Sequence, residues 1–162
     1  MKFKTTLLAA GFALVVSAVQ AALPVIGPAP AWKLKTLEGR EVSSTDFKGK
    51  VVVVDFWATW CPPCRAEIPG YIELQKKYAD KGLVILGLSL DDAGVEVVQK
   101  FATAQKINYP ILLDASSAAE AFGDIRSIPT TFLIDKDGNI RHKKVGAAKA
   151  DAYEKIVAEL LE

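Results

Sequence analysis

The sequence predicts an α/β domain in which one mixed sheet carries helices on both of its faces. Residues 51–57 are apolar and β-branched for longer than a strand with one solvated face allows, which indicates a central strand covered on both sides. A second apolar run follows at 83–90, after a helical stretch. Strands and helices then alternate until a hairpin and an amphipathic helix close the chain, which is the order typical of such a sheet.

Before this domain, residues 1–21 have the pattern of a secretory signal peptide and residues 22–30 that of a short linker. Lys2 and Lys4 give a positive start, and residues 5–19 carry no charge. This apolar run is shorter than the ~20 residues that span a bilayer comfortably, although an uncleaved membrane anchor is the alternative. We therefore expect a protein that is exported to the periplasm.

Cleavage after Ala21 would leave residues 22–162, enough for one domain at 31–162 with a hydrophobic core. The formal net charge would move from +1, with 20 Lys and Arg against 19 Asp and Glu, to −1, because two lysines and no acid are removed. Nucleic acid and anionic membranes are therefore not expected as partners. We expect the domain to be a monomer.

Local patterns predict the remaining elements in order. They are a hairpin at 31–35 and 40–43, a turn at 45–50, the strand at 51–57, a helix at 62–78, the strand at 83–90, a helix after Asp91 and Asp92, a strand at 109–113, a helix at 117–122, a hairpin at 131–135 and 139–145, and a helix at 151–161. Asp91 and Asp92 offer capping chemistry to the helix that follows them, whose apolar face contains Val95, Val98, Phe101 and Ala102. The last hairpin turns at a Lys-Asp-Gly sequence.

The only two cysteines, Cys61 and Cys64, lie between the buried strand and the helix after it. Pro62 and Pro63 suit the first turn of a helix, where a missing N–H costs nothing. Two thiols three residues apart at a helix N-terminus can form one small, reversible disulfide, and the helix favours the thiolate of the first. A disulfide that closes so short a loop adds almost no stability to the fold. We therefore expect the Cys61–Cys64 disulfide to be redox-active rather than structural.

The sequence Asp-Phe-Trp-Ala-Thr-Trp-Cys-Pro-Pro-Cys at 55–64 resembles the active-site strand and turn of thioredoxins, and 125–130 resembles their cis-proline loop. With the leading hairpin and the αβ segment between Asp91 and Leu113, the chain is similar to the TlpA/ResA-like branch. That resemblance implies a thioredoxin fold with an N-terminal β-hairpin and a central αβ insertion. It also implies an exported protein that reduces protein disulfides without a cofactor, in cytochrome c maturation or related periplasmic thiol reduction, and that a membrane thiol donor recycles.

The resemblance also implies roles for individual residues. Cys61 is expected at the exposed tip of the helix as the nucleophile, and Cys64 resolves the mixed disulfide from the buried side. Trp60 should be partly exposed beside the reactive sulfur. Pro129 should be cis and packed against the cysteines, with the Ile128 backbone pairing with a substrate strand. The alternative for Pro129 is a trans proline at the start of a strand.

Two acids near the cysteines are candidates for proton transfer or for tuning of the thiol pKa. Asp55 lies in an otherwise apolar strand, so burial should raise its pKa and suit it to exchange a proton with Cys64. Thioredoxins place a lysine on the next strand near this aspartate, whereas alignment puts Gly87 there. Glu67 lies one helical turn beyond Cys64 and matches an active-site glutamate of ResA-like proteins. The alternatives are a hydrated Asp55 at a strand edge and a solvated Glu67.

The two prolines also bear on the direction of the reaction. Each removes an N–H from the helix tip, which leaves Cys64 and the residues after it as donors to a Cys61 thiolate. We therefore predict a Cys61 pKa near the ~7 of thioredoxin rather than the ~3.5 of a strong oxidant, and a reducing couple.

Other functions remain open at this point. A disulfide-forming oxidant would use the same cysteines, and so would a Cu(I)-binding carrier, with His142 as a further ligand. The run around His142 reads more simply as a solvated, charged strand. A structural zinc site lacks ligands, since the chain has two cysteines and one histidine, so no metal is expected. No Thr-x-x-Cys peroxidatic pattern surrounds Cys61.

Overall fold

Eight strands and four helices make up residues 23–162, the part of the chain that this computed structural model describes. The strands are β1 Gly27–Pro28, β2 Lys33–Thr36, β3 Glu41–Ser43, β4 Val51–Trp57, β5 Leu83–Ser89, β6 Ile111–Leu113, β7 Thr130–Ile134 and β8 Asn139–Val145. The helices are α1 Pro62–Tyr78, α2 Val95–Ala104, α3 Ser116–Ala121 and α4 Ala150–Leu161. The expected signal peptide at 1–21 lies outside the described residues. No helix within 23–162 has the length and apolar character needed to cross a membrane.

One mixed sheet runs through the domain in the order β1-β8-β7-β4-β5-β6-β2-β3, which confirms the predicted architecture. At its centre β4 and β5 are parallel, and β7 is antiparallel to β4 on the other side. All seven residues of β4 are buried because the sheet is covered on both faces, as its apolar run, interrupted only by Asp55, predicts. The start of α1 therefore lies at the end of a fully buried strand.

Side chains of β4 alternate between two apolar cores, one on each face of the sheet. Val53 and Trp57 lie in the core that contains residues of α1, α2 and α4. Val54 and Phe56 lie in the opposite core, which contains residues of α3. This alternation directs Asp55 into the first core, which also contains both cysteines.

The chain enters the domain through an edge strand. Within the segment expected to be a linker, Gly27–Pro28 pairs antiparallel with β8. The Arg141 guanidinium donates hydrogen bonds to the Leu23 carbonyl and to the Asp135 carboxylate, the latter at 2.9 Å. The expectation of a solvated, charged strand is therefore wrong for Arg141, because its charge is paired and only 16% of its side chain is exposed.

Helix α2 begins differently from the prediction. Gly94, at a φ of 89°, is its N-cap residue, and neither expected aspartate caps it. Val98 and Ala102 are buried as expected, whereas Val95 is exposed because it is the first helical residue and takes no part in either core. The Asp91 carboxylate instead binds the turn that precedes the cysteines.

Candidate active site

The two cysteines lie where β4 ends and α1 begins. Cys61 is the N-cap residue of α1, and Pro62 and Pro63 occupy its first two helical positions. Because prolines have no N–H, the first available donor is Cys64 N–H, which points at Cys61 Sγ with the nitrogen 3.3 Å away. The expected donor is therefore confirmed. A disulfide joins Cys61 and Cys64, whose Cα atoms are 5.3 Å apart.

Cys61 is buried, which corrects the expectation of an exposed helix tip. Its exposed fraction is 3%, because a loop that is distant in sequence covers it. The Ile128 carbonyl oxygen lies 3.8 Å from Cys61 Sγ, a contact rather than a hydrogen bond, since a disulfide sulfur has no proton. Pro129 is buried, and the peptide bond that precedes it is cis. Trp60 next to Cys61 is 64% exposed and offers an apolar surface.

A carboxylate from the end of β5 holds the turn before the cysteines. Asp91 accepts from the Thr59 backbone N–H at 3.0 Å and from the Thr59 hydroxyl. The Ser89 hydroxyl donates to the same carboxylate at 2.8 Å and in turn accepts from the Asp91 N–H at 3.1 Å. Sequence reasoning missed this anchor, because Asp-Asp before a helix is also a capping pattern.

Asp55 is buried, with an exposed fraction of 4%, so it is not hydrated at a strand edge. Burial, followed by the negative charge of Glu67, raises the pKa of Asp55 to about 8. The Thr131 hydroxyl donates a hydrogen bond to Asp55 Oδ1 at 3.0 Å and partly opposes that rise. Asp55 is therefore mostly protonated at neutral pH.

Gly87 lies opposite Asp55 in the β4–β5 register, as the sequence alignment predicts. A Cβ atom on Gly87 would lie 2.7 Å from Ile111 Cδ1 and 2.9 Å from Trp57 Nε1. Core side chains thus fill the space that a lysine stem would need. None of the ion pairs among residues 23–162 includes Asp55. The charge that acts on this acid is the negative one of Glu67.

Glu67 is buried on the face of α1 that also carries Cys64, with an exposed fraction of 6%. Its Oε1 accepts hydrogen bonds from the Ala148 backbone N–H at 2.8 Å and the Tyr153 hydroxyl at 3.3 Å. Its Oε2 is buried without a hydrogen-bond partner among the described residues. Burial raises the pKa of Glu67, while both hydrogen bonds and the charge of Lys144 oppose the rise. The alternative of a solvated first-turn acid is wrong.

Buried hydroxyls lie between the two acids. Thr131 Oγ1 is 3.0 Å from Tyr71 Oη and 3.2 Å from Tyr153 Oη, in addition to its bond to Asp55. The rings of Tyr71 and Tyr153 stack with centroids 5.6 Å apart. Sequence reasoning assigned no role to the hydroxyl of Tyr153 or to that of Thr131. Their hydroxyls meet because α4 packs on the face of the sheet to which the Thr131 side chain of β7 points.

The AhpC/TSA family model matches residues 25–143. The chain belongs to this family. It is 41% identical over 119 residues to the thioredoxin-like protein YneN of Bacillus subtilis (strain 168), covering 73% of this chain and 69% of that protein. It is 35% identical over 126 residues to a thiol-disulfide oxidoreductase ResA of Bacillus cereus, covering 78% of this chain and 72% of that protein.

Solved structures of similar proteins support the same assignment. A thiol:disulfide interchange protein of the thioredoxin family from Chlorobium tepidum TLS superposes with a TM-score of 0.77 at 35% identity, over 88% of this chain and 100% of that one. StoA from Bacillus subtilis gives a TM-score of 0.67 at 28% identity, over 82% and 98%. The domain therefore has the thioredoxin fold, and this AhpC/TSA family member is a thiol-disulfide oxidoreductase of the ResA type. The predicted fold, family and enzyme class are confirmed.

His142 lies apart from the site residues of this oxidoreductase. It pairs with Leu133 in the β7–β8 register, and burial followed by the charge of Lys144 lowers its pKa. Residues 23–162 contain no group of three or more His, Cys, Asp or Glu side chains arranged to hold a metal ion.

Proposed function

We propose that the protein is an exported reductant of protein disulfides. The direction of the reaction is inferred from the small number of N–H donors near Cys61 Sγ. Pro62 and Pro63 have no N–H, so Cys64 is the donor in the first turn. A strong oxidant owes its potential to a stabilised reduced form, and each hydrogen bond to the thiolate adds to that stabilisation. One backbone donor and no histidine between the cysteines favour a dithiol that gives up its electrons.

The reaction proceeds through a mixed disulfide. The Cys61 thiolate attacks a substrate disulfide, one Cys61–substrate S–S bond forms, and the first substrate thiolate leaves. Cys64 then loses its S–H proton and attacks Cys61 Sγ, which releases the second substrate thiolate. Asp55 points into the same core as Cys64 and is proposed to accept that proton. Glu67, on the Cys64 face of α1, is proposed to tune the pKa of the thiol.

The substrate approaches across the cis-proline loop. The Pro129 carbonyl accepts from the Gly146 N–H at 2.8 Å, whereas the Ile128 N–H has no partner among the described residues. An extended substrate strand would pair with the Ile128 backbone and lie against Trp60, the exposed aromatic side chain next to Cys61. These contacts would recognise the backbone and the shape of a substrate strand, so they suit protein disulfides in general.

We propose further that residues 1–21 direct export and are removed, that the segment at 22–30 leads into a monomeric domain and adds β1 to its sheet, and that a membrane thiol donor recycles the disulfide. Cytochrome c maturation or related periplasmic thiol reduction is the process that this reductant would serve. Mass spectrometry of the protein from the periplasmic fraction tests the leader: a chain that begins at Ala22 supports the proposal, and an intact Met1 contradicts cleavage.

The direction is tested by the midpoint potential of the Cys61–Cys64 couple, equilibrated against glutathione and dithiothreitol. A value below about −220 mV supports a reductant, whereas a value near about −120 mV makes the protein an oxidant. Pro63→Ala and Pro62→Ala form a matched pair. An N-cap side chain accepts from the second or third helical N–H, so Pro63→Ala adds a usable donor and Pro62→Ala does not. Pro63→Ala should raise the potential, and equal potentials in the two variants would contradict the donor argument.

A further inference from the structure

Two buried acids on different elements are joined by a short chain of hydroxyls. Asp55 lies on β4 and Glu67 on α1, and both are buried. Between them, Asp55 Oδ1 is 3.0 Å from Thr131 Oγ1, Thr131 Oγ1 is 3.2 Å from Tyr153 Oη, and Tyr153 Oη is 3.3 Å from Glu67 Oε1. Each of these separations is within hydrogen-bond reach, and the four side chains come from four elements, β4, β7, α4 and α1.

A count of hydrogens shows what this chain requires. A hydrogen bond across each of the three oxygen–oxygen pairs needs one hydrogen, three in all. The Thr131 and Tyr153 hydroxyls supply only two. When both acids are ionised, one pair of oxygens therefore has no hydrogen bond between them, and two negative charges lie buried close together. A single further proton on either carboxyl fills all three hydrogen bonds and leaves one charge. The chain is complete in two forms, with the extra proton on Asp55 or on Glu67.

We propose that Asp55 and Glu67 share one proton along the hydroxyls of Thr131 and Tyr153, and that its transfer to Glu67 frees Asp55 as the base for Cys64. Thr131 and Tyr153 are positioning residues in this scheme. The inference rests on the proposed role of Asp55 and adds what a neutral Asp55 otherwise lacks, a way to become a carboxylate while it stays buried.

The proton and electron balance is complete. While the shared proton is on Glu67, Asp55 takes the Cys64 S–H proton. The Cys64 sulfur then forms the S–S bond to Cys61 Sγ, and the substrate leaves as a thiolate. The acid pair then holds two protons. Reduction of the disulfide by the donor thiol reverses the step, since Asp55 returns its proton to the Cys64 thiolate and the pair holds one again.

The charged and titratable groups around the chain favour a shared proton. Burial raises the pKa of Tyr71 and Tyr109 well above the ordinary value and that of Tyr153 to about 12, so these phenols stay neutral. On β5 the facing position is Gly87, which carries no charge. The cation whose charge reaches the pair is Lys144 on β8, which lowers the pKa of Glu67 and so helps that end to hold the negative charge. Cys61 and Cys64 complete the set on the α1 side.

The test separates attack from resolution. When the reduced protein is mixed with excess Ellman's reagent in a stopped-flow instrument, attack by Cys61 releases one thionitrobenzoate, and resolution by Cys64 releases a second. Tyr153→Phe should slow the second phase about tenfold or more at pH 7, the low end of general acid–base effects, and raise the pH at which that phase reaches half its maximum. The first phase should change less than about twofold, since Cys61 attack precedes the proton step.

Tyr71→Phe is the matched control. The Tyr71 ring stacks on Tyr153, and its buried hydroxyl also lies 3.0 Å from Thr131 Oγ1. Removing this hydroxyl leaves the four-group chain intact. Equal second-phase pH profiles for Tyr71→Phe and Tyr153→Phe would overturn the proposal. Thr131→Val and Thr131→Ser give an independent pair: Val should slow the second phase and Ser should restore it, so the question is decided even where Tyr153→Phe does not fold.

Asp55→Asn separates this inference from the proposed function. If Asp55→Asn leaves the second phase unchanged, the proposed base and the shared proton both fail. If Asp55→Asn slows that phase while Tyr153→Phe and Thr131→Val do not, Asp55 is the base and the proton sharing alone is refuted. Slowing by all three variants, with the shifted pH profile, supports the whole scheme.

Discussion

Replacing Asp55 by asparagine should make the oxidised protein more stable relative to wild type as the pH rises. The pKa of Asp55 is raised from its ordinary value of 3.8 to about 8, chiefly by burial. Between these two values the folded protein holds a proton that the unfolded chain has lost. The free energy of unfolding therefore falls by about 1.4 kcal/mol per pH unit across that window.

The size of the effect follows from the same two pKa values. Ionisation of Asp55 in the unfolded chain lowers the free energy of unfolding by about 4 kcal/mol at pH 7, but by less than about 1 kcal/mol at pH 4. Asparagine has no such ionisation, although its amide N–H₂ needs acceptors that Asp55 does not, at a pH-independent cost of about 1–3 kcal/mol. The stability difference between Asp55→Asn and wild type should thus grow by about 3–4 kcal/mol from pH 4 to pH 7 and level off above pH 8.

Urea unfolding of the oxidised proteins, followed by tryptophan fluorescence between pH 4 and pH 9, measures this difference. The disulfide keeps thiol titration out of the experiment, and the titrations of groups that do not interact with Asp55 cancel when the two curves are subtracted. Asp92→Asn, at an exposed position that forms no described hydrogen bond, is the control and should give a flat difference. A flat difference for Asp55→Asn as well would refute the buried, protonated Asp55.

Three further substitutions test contacts around the site and at the N-terminal strand. Asp91→Ala should lower stability by about 1–3 kcal/mol in urea unfolding, because it leaves a backbone N–H of the turn before the cysteines unpaired, whereas Asp92→Ala should change little. Gly87→Ala should cost about 1–3 kcal/mol through overpacking, as a lowered thermal midpoint, while Gly27→Ala, whose Cβ would meet nothing within 4 Å, should not. Arg141→Ala should cost about 2–4 kcal/mol and expose the N-terminal strand to proteolysis, because it leaves a buried carboxylate without its cation.

Sequence reasoning succeeded where a local pattern allows a single interpretation. The run at 51–57 predicted a fully buried strand with its bounds correct, because six apolar residues in seven, four of them valines, suit only a covered strand. The helix at 62–78 was also correct, since Pro62 and Pro63 mark a helix start. The alignment of Gly87 with Asp55 was right because parallel neighbours in the same fold keep their register.

It failed where a side chain meets a partner far along the chain. Cys61 was expected to be exposed, but the loop at Ile128, 67 residues later, covers it. The Asp91 carboxylate was assigned to the next helix, yet it binds the turn 32 residues before it. The Tyr153 hydroxyl finds Glu67 across 86 residues of sequence. None of these pairings leaves a local periodicity, so only the packing of the sheet and helices reveals them.

The stability and the chemistry of this oxidoreductase depend on the same proton. A buried acid that costs about 4 kcal/mol at pH 7 uses a large part of the roughly 5–15 kcal/mol that a domain of this size typically has. A core built for stability alone would carry an uncharged side chain at position 55. Asp55→Asn should therefore be more stable at neutral pH and slower in resolving its mixed disulfide, the opposition expected when a destabilising group is there to react. A variant that gained stability and kept the wild-type resolution rate would show that the acid has no part in the proton transfer.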